Sequence, residues 1–149
     1  MPTLARIDIE RPSSTNGRSS ASISASGVST RHDVTSKPVA ELYETYERDA
    51  GAEVPEYARE LVDAISADPS GLDVLIGAHA HGWTIDRISP LERAALRIAT
   101  FEMAERSEVP AAVAISEAVR LVKRYASPEA ATFVNGILGA IARALGVGT

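Results

Sequence analysis

The sequence predicts an all-helical fold, and three observations carry that prediction. From Pro38 to Leu145, apolar residues recur at three- and four-residue intervals, and no segment shows the two-residue alternation of a half-buried strand. Helix starts are marked twice, by Ser89-Pro90-Leu91-Glu92 and by Ser127-Pro128-Glu129, each with a capping serine and proline at the first helical position. The strongest turn signal, Asn135-Gly136, lies in "TFVNGILGAIARAL", where Val134, Ile137, Leu138, Ile141 and Leu145 form one helical stripe rather than the two arms of a hairpin.

The elements follow in order. Val39, Leu42, Tyr43 and Tyr46 line one face of a helix over about 38–49, which Gly51 ends. Tyr57, Leu61, Ala64 and Ile65 mark the next. Leu72, Leu75, Ile76 and His79 line a third that stops at Gly82, with Trp83 expected to fold back into the core where the two halves of the molecule join. The helix over 90–105 carries Leu91, Ala95, Leu96, Ile98, Phe101 and Met103 nearly all round its surface, which predicts a central, buried position. In the helix over 111–126, Ile115, Ala118, Val119 and Val122 turn inward and Ser116, Arg120, Lys123 and Arg124 outward. Short connections favour antiparallel packing into a compact bundle. A glycine inside a helix costs roughly 1 kcal/mol relative to alanine, so Gly136 and Gly139 in the last helix are expected to face a closely approaching backbone or ligand.

Residues 1–37 read differently. Their Ser, Thr, Gly and Ala content, with Ile23 and Val28 in no evident period, predicts a disordered or aberrant N-terminal segment ahead of a helical domain over 38–149.

A chain of 149 residues with 45% apolar and 23% charged residues is an ordinary soluble globular composition. Cysteine is absent, which removes a disulfide framework, a thiolate metal site and a cysteine nucleophile, and a cytoplasmic location is expected. No apolar stretch approaches the roughly 20 residues that span a bilayer, and the first residues have no signal-like apolar block. The net charge of −5 argues weakly against nucleic-acid binding, but it is unevenly placed: residues 38–86 are strongly acidic, and the flanking segments are slightly basic.

The run from Gly82 to Ala142 closely resembles the C-terminal half of the NusB family of bacterial transcription antitermination factors. The matching pieces are "LERAALRIATFE", "VPAAVAISEAVRLVKRY" and "FVNGILG", and "VPEYARELVDAI" and "LDVLIGAHAHGWTIDR" extend the likeness to about Val54. The resemblance implies two packed three-helix bundles with a seventh helix, and a non-enzymatic protein that binds boxA RNA of rRNA operons. It implies action with the ribosomal protein NusE in the elongating RNA polymerase complex, with no cofactor. Family members begin with an arginine-rich helix that meets RNA phosphates, and no such cluster stands here. "VAELYETYERD" fits either the end of that first helix or, preferably, the second helix leaning on "VPEYARELV" as the third. On the preferred alignment the first helix is missing and the serine-rich segment takes its place.

By the same resemblance, RNA or partner contacts fall at Glu129 and Phe133, with Asn135 and Gly136 nearby; base stacking by Phe133 and phosphate binding by backbone NH groups are the physical means. Lys123 and Arg124, beside Arg120, form a small basic face suited to phosphate or simply to water. His79 and His81 stand two apart on a helix and point in different directions, so no metal site is expected. Two further readings stay open: a NusB-like domain fragment of an rRNA cytosine methyltransferase, and a NusB-fold protein that has lost RNA binding. Association into a homodimer also stays open.

Overall fold

The computed structural model describes residues 15–148, with side chains from Ala21 onward. Seven α-helices and one 3-10 turn make up the described residues, with no strand among them: α1 Thr15–Thr35, α2 Val39–Ala50, α3 Glu56–Ala67, α4 Ser70–His79, a 3-10 turn Ile85–Arg87, α5 Pro90–Glu105, α6 Ala111–Tyr125 and α7 Pro128–Leu145. The predicted caps are in place. Ser89 Oγ donates to Glu92 Oε2 at 2.7 Å and accepts from Glu92 N at 3.4 Å, and Ser127 Oγ accepts from Ala130 N at 3.0 Å. Gly51 closes α2 at φ 71°, the left-handed conformation in which glycine carries no Cβ penalty.

The helices divide around two apolar cores. Ala21, Ala25 and Val28 of α1, Leu42 and Tyr43 of α2, and Ala58, Leu61, Val62 and Ile65 of α3 form the first, completed by Ile98 of α5. The second joins α4 to α7 through Ile76, Ala95, Leu96, Met103, Val122, Val134, Leu138 and Ile141. Helix α5 therefore serves both cores, as its nearly continuous apolar surface predicts. The preferred alignment of Val39–Ala50 as the second helix and Glu56–Ala67 as the third is the arrangement observed.

The expectation of disorder over residues 1–37 does not hold for Thr15–Thr35, which is helical and packed; residues 1–14 lie outside the described residues. The physical reason is side-chain size. Ala21, Ala25 and Val28 follow a helical period, and Ser22, Ser26 and Ser29 run beside them, all buried. Small side chains let α1 come close to its neighbours: a Cβ on Gly27 would stand 3.4 Å from the Tyr46 ring. Ser24 Oγ lies 3.3 Å from the Tyr46 hydroxyl. The first helix is thus present, built of serine and alanine.

Gly136 corrects a second expectation. It is exposed, and a Cβ there would meet nothing within 4 Å, so no neighbouring segment of this chain requires it. Gly139 is half-buried, and a Cβ there would meet the Arg143 guanidinium of its own helix at 3.7 Å.

Polar contacts lock the N-terminal half. Glu47 Oε2 accepts from Val54 N at 2.9 Å and from Arg59 Nη2 at 2.7 Å, and the backbone bond first, then the guanidinium, hold its carboxyl below the usual glutamate range. Tyr43 donates to Asp63 Oδ1 at 2.7 Å; burial first, and then this bond, push its hydroxyl pKa up.

Two outcomes are expected. Gly136→Ala should raise stability by about 0.5–1 kcal/mol, because the helix loses its glycine penalty with no clash; a thermal melt with an unchanged or lower midpoint contradicts the open face. Glu47 is more acidic in the fold than unfolded, so its contribution is present above the ordinary glutamate range and is lost as pH falls through the lowered value. The melting-point gap between the parent and Glu47→Gln should therefore be widest near neutral pH and close on acidification.

Candidate functional site

The connection from α4 to α5 carries an aromatic ring into solvent. Helix α4 ends at His79, Gly82 takes φ 80°, and Trp83 N donates to Ala80 O at 2.8 Å. Trp83 follows with 47% of its surface exposed, against the expectation of a core position. A glycine in the left-handed region turns the chain away from the end of α4, and the 3-10 turn then runs along the outside of the C-terminal core. The ring leans on Phe133 of α7 at 5.8 Å between centroids and 65° between planes, an edge-to-face contact. The Arg87 guanidinium sits over Trp83 at 5.8 Å.

Phe133 is half-buried, packed against the C-terminal core yet reaching Trp83. Glu129 and Gly136 lie four residues before it and three after, on the same stripe of α7, and both are exposed. Asn135 is exposed too, about 100° round the helix from Gly136. Lys123 and Arg124 are exposed in the last turn of α6, four and three residues before the serine that caps α7. Arg124 covers the ring of Tyr125 at 5.3 Å, and that ring is 52% exposed. Arg120 stands apart from Lys123 and Arg124 in being paired: its Nη1 lies 3.6 Å from Glu117 Oε2.

The structure therefore gathers Glu129, Phe133 and Gly136 on one stripe of α7 and adds Trp83 and Arg87, which sequence reasoning did not place here. Lys123 and Arg124 occupy the adjoining corner between α6 and α7. The sequence did hold a signal for Trp83: a lone tryptophan among Gly, Thr, Asp and Arg in a connection has no apolar period to pull it inward.

Chemically, the surface offers flat rings with accessible faces, guanidinium and ammonium groups, and the N-terminal end of an 18-residue helix. His79 is bound locally, with Nδ1 3.0 Å from Leu75 O, and no cluster of three potential metal ligands occurs among the described residues. No helix among the described residues is long and apolar enough to cross a membrane.

Known proteins resemble this chain over most of its length. Residues 21–143 match the model of the NusB family. A transcription antitermination protein NusB of Myxococcus xanthus is 42% identical over 89 residues, covering 60% of this chain and 64% of the relative. That of Saccharopolyspora erythraea is 46% identical over 90 residues, covering 60% and 61%. The matched stretch thus spans slightly less than two thirds of these relatives' length. Among solved structures, antitermination factors NusB and NusE in complex with dsRNA give a TM-score of 0.79 at 31% identity, covering 87% of this chain and 98% of that one. The solution structure of NusB from Aquifex aeolicus gives 0.72 at 32% identity, covering 85% and 88%. The family match begins inside α1 and runs through α2–α6 into α7, and with these likenesses it shows that the chain belongs to the NusB family.

Proposed function

We propose that this protein is an RNA-binding transcription antitermination factor that acts with NusE on the boxA RNA of rRNA operons, in the cytoplasm and without catalysis of its own. The observation that carries the reading is the solvent-exposed Trp83 resting edge-on against Phe133 with Arg87 over it. Large exposed rings on a folded surface are costly to leave in water and well suited to stacking on unpaired bases. Support comes from the similar solved complex of NusB and NusE with dsRNA.

Each group has a distinct part in the proposal. Phe133 and Trp83 offer π-faces to bases, Lys123 and Arg124 neutralise phosphates at the α6–α7 corner, and Glu129 accepts hydrogen bonds from base or sugar. The exposed Asn135 amide donates and accepts, and Gly136 leaves room for a strand to lie against the helix backbone. The missing Cβ thus has its use outside the chain rather than within its fold. Charge directs the approach. Exposed Glu41, Glu44, Glu53, Glu56, Glu60 and Asp68 make the α2–α3 side repel phosphate, which leaves the C-terminal half as the landing surface.

With that acidic side, binding by the chain alone should be weak and strongly salt-dependent, and NusE should raise affinity for a boxA strand well above that for a scrambled one. Phe133→Ala and Trp83→Ala should each cost roughly 1–3 kcal/mol and weaken discrimination. Lys123→Ala should weaken both strands alike and reduce the salt slope by about one unit. Fluorescence anisotropy with labelled strands, beside melting curves, measures this; boxA binding unaltered by both ring deletions in folded protein rejects the aromatic surface.

A further inference from the structure

Arg93 of α5 joins two parts of the molecule that share no other polar link among the described residues. On one side its Nε donates to Asp33 Oδ2 at 2.8 Å and its Nη2 lies 2.6 Å from the same oxygen, near the C-terminal end of α1. On the other side its Nη1 donates to Ile85 O at 3.1 Å and to Ile88 O at 2.7 Å, both in the connection that follows Trp83. The side chains of Arg93 and Asp33 are only 15% and 23% exposed, so solvent does little to weaken the pair.

Arg87 N donates to Thr84 O at 2.9 Å within the connection, and the bridge adds ties at Ile85 O and Ile88 O. The 3-10 turn's closing bond, Ile88 N to Ile85 O, is 3.3 Å, at the long edge for an amide hydrogen bond, and Arg93 supplies the shorter contact at Ile88 O. Arg87, which covers Trp83, is the last residue of this turn. A guanidinium is planar, so the direction of Nη1 is fixed by where Nε and Nη2 are held. With the carboxylate removed, Arg93 keeps its charge and loses the partner that orients it.

We propose that Asp33, on the serine-rich first helix, is a positioning residue for the aromatic surface: through Arg93 it sets the turn that places Arg87 over Trp83. This rests on the reading of that surface as the RNA site. Seating of α1 and order at the aromatic pair are then coupled, although α1 contributes no side chain to the pair.

Trp83 is the chain's single tryptophan, so its emission reports the link without any ligand. The experiment compares the parent, Asp33→Asn, Asp33→Glu and Glu47→Gln by tryptophan emission, acrylamide quenching, melting point and boxA affinity with NusE present. Asp33→Asn should make Trp83 more quenchable and weaken boxA binding by about threefold to tenfold. Asp33→Glu should return both part-way. Glu47→Gln loosens the N-terminal half away from Arg93, and should lower the melting point while leaving the Trp83 signal at the parental value. Where Asp33→Asn melts below the assay temperature, Arg93→Lys replaces it and should shift the tryptophan in the same direction, since an ammonium cannot span the carboxylate and both carbonyls. Parental quenching in folded Asp33→Asn overturns the proposal, as does an equal shift in Glu47→Gln. A shifted tryptophan in Asp33→Asn when even the parent binds no RNA supports the positional link and overturns the RNA reading instead.

Discussion

Helix α5 has to be buried from two sides at once, and the rest of the molecule is arranged around that requirement. Ile98 faces the core of α1–α3, while Ala95, Leu96, Ala99 and Met103 face that of α4–α7. A helix with so little free surface has few places for charge. Arg93 and Arg97 lie in the seam between the cores, one turn apart, and each meets a carboxylate from another helix. Burial works against the Arg97 charge, but two hydrogen bonds to Asp73 at 2.8 Å, with Asp33 at 3.8 Å, outweigh that cost and hold it firmly protonated. A partner removed from such a pair leaves an uncompensated charge, so the seam selects one seating of α1 and α4. Tyr57 adds a further tie across the same seam, its hydroxyl donating at 2.7 Å to the buried carboxyl group of Glu102.

Most of this was legible where large apolar side chains mark the period. The start of α5 follows directly from Ser89-Pro90-Leu91-Glu92, and the stripe through Val134, Ile137, Leu138 and Ile141 identifies α7 despite its Asn-Gly. Helix α1 was illegible for a specific reason: hydrophobic periodicity does not register a face made of Ala21, Ser22, Ala25, Ser26 and Ser29, although small groups at helical spacing pack as tightly as large ones when the partner supplies the bulk. Here Leu61, Val62 and Ile98 supply it. The tie of Asp33 to Arg93 joins residues 60 apart, and no local pattern announces a contact at that distance.

At the candidate site, the family resemblance pointed to Phe133 on α7, and the structure sets Trp83 beside it. A tryptophan after a helix-ending glycine fits two physical outcomes, a ring folded inward as a terminal apolar contact or one laid along the surface. The choice rests with the next residues. Arg93 draws the carbonyls of Ile85 and Ile88 toward α5, Ile88 is buried, and the chain leading to them keeps Trp83 on the outside. For the glycines, local cost raised the expectation of a close approach, and the open space at Gly136 shows that no segment of this chain supplies one.

The long separation between α1 and its seat also bears on how the chain is made. Synthesis runs from the N-terminus, so α1 leaves the ribosome well before Arg93 and Ile98 exist to receive it. During that interval α1, α2 and α3 have only one another, with Glu47 and Arg59 available to hold α2 to α3 and Tyr46 to meet Ser24. A first helix faced with serine and alanine exposes little sticky surface while it waits. A face that packs closely in the finished fold thus offers the nascent chain little apolar surface for wrong partners.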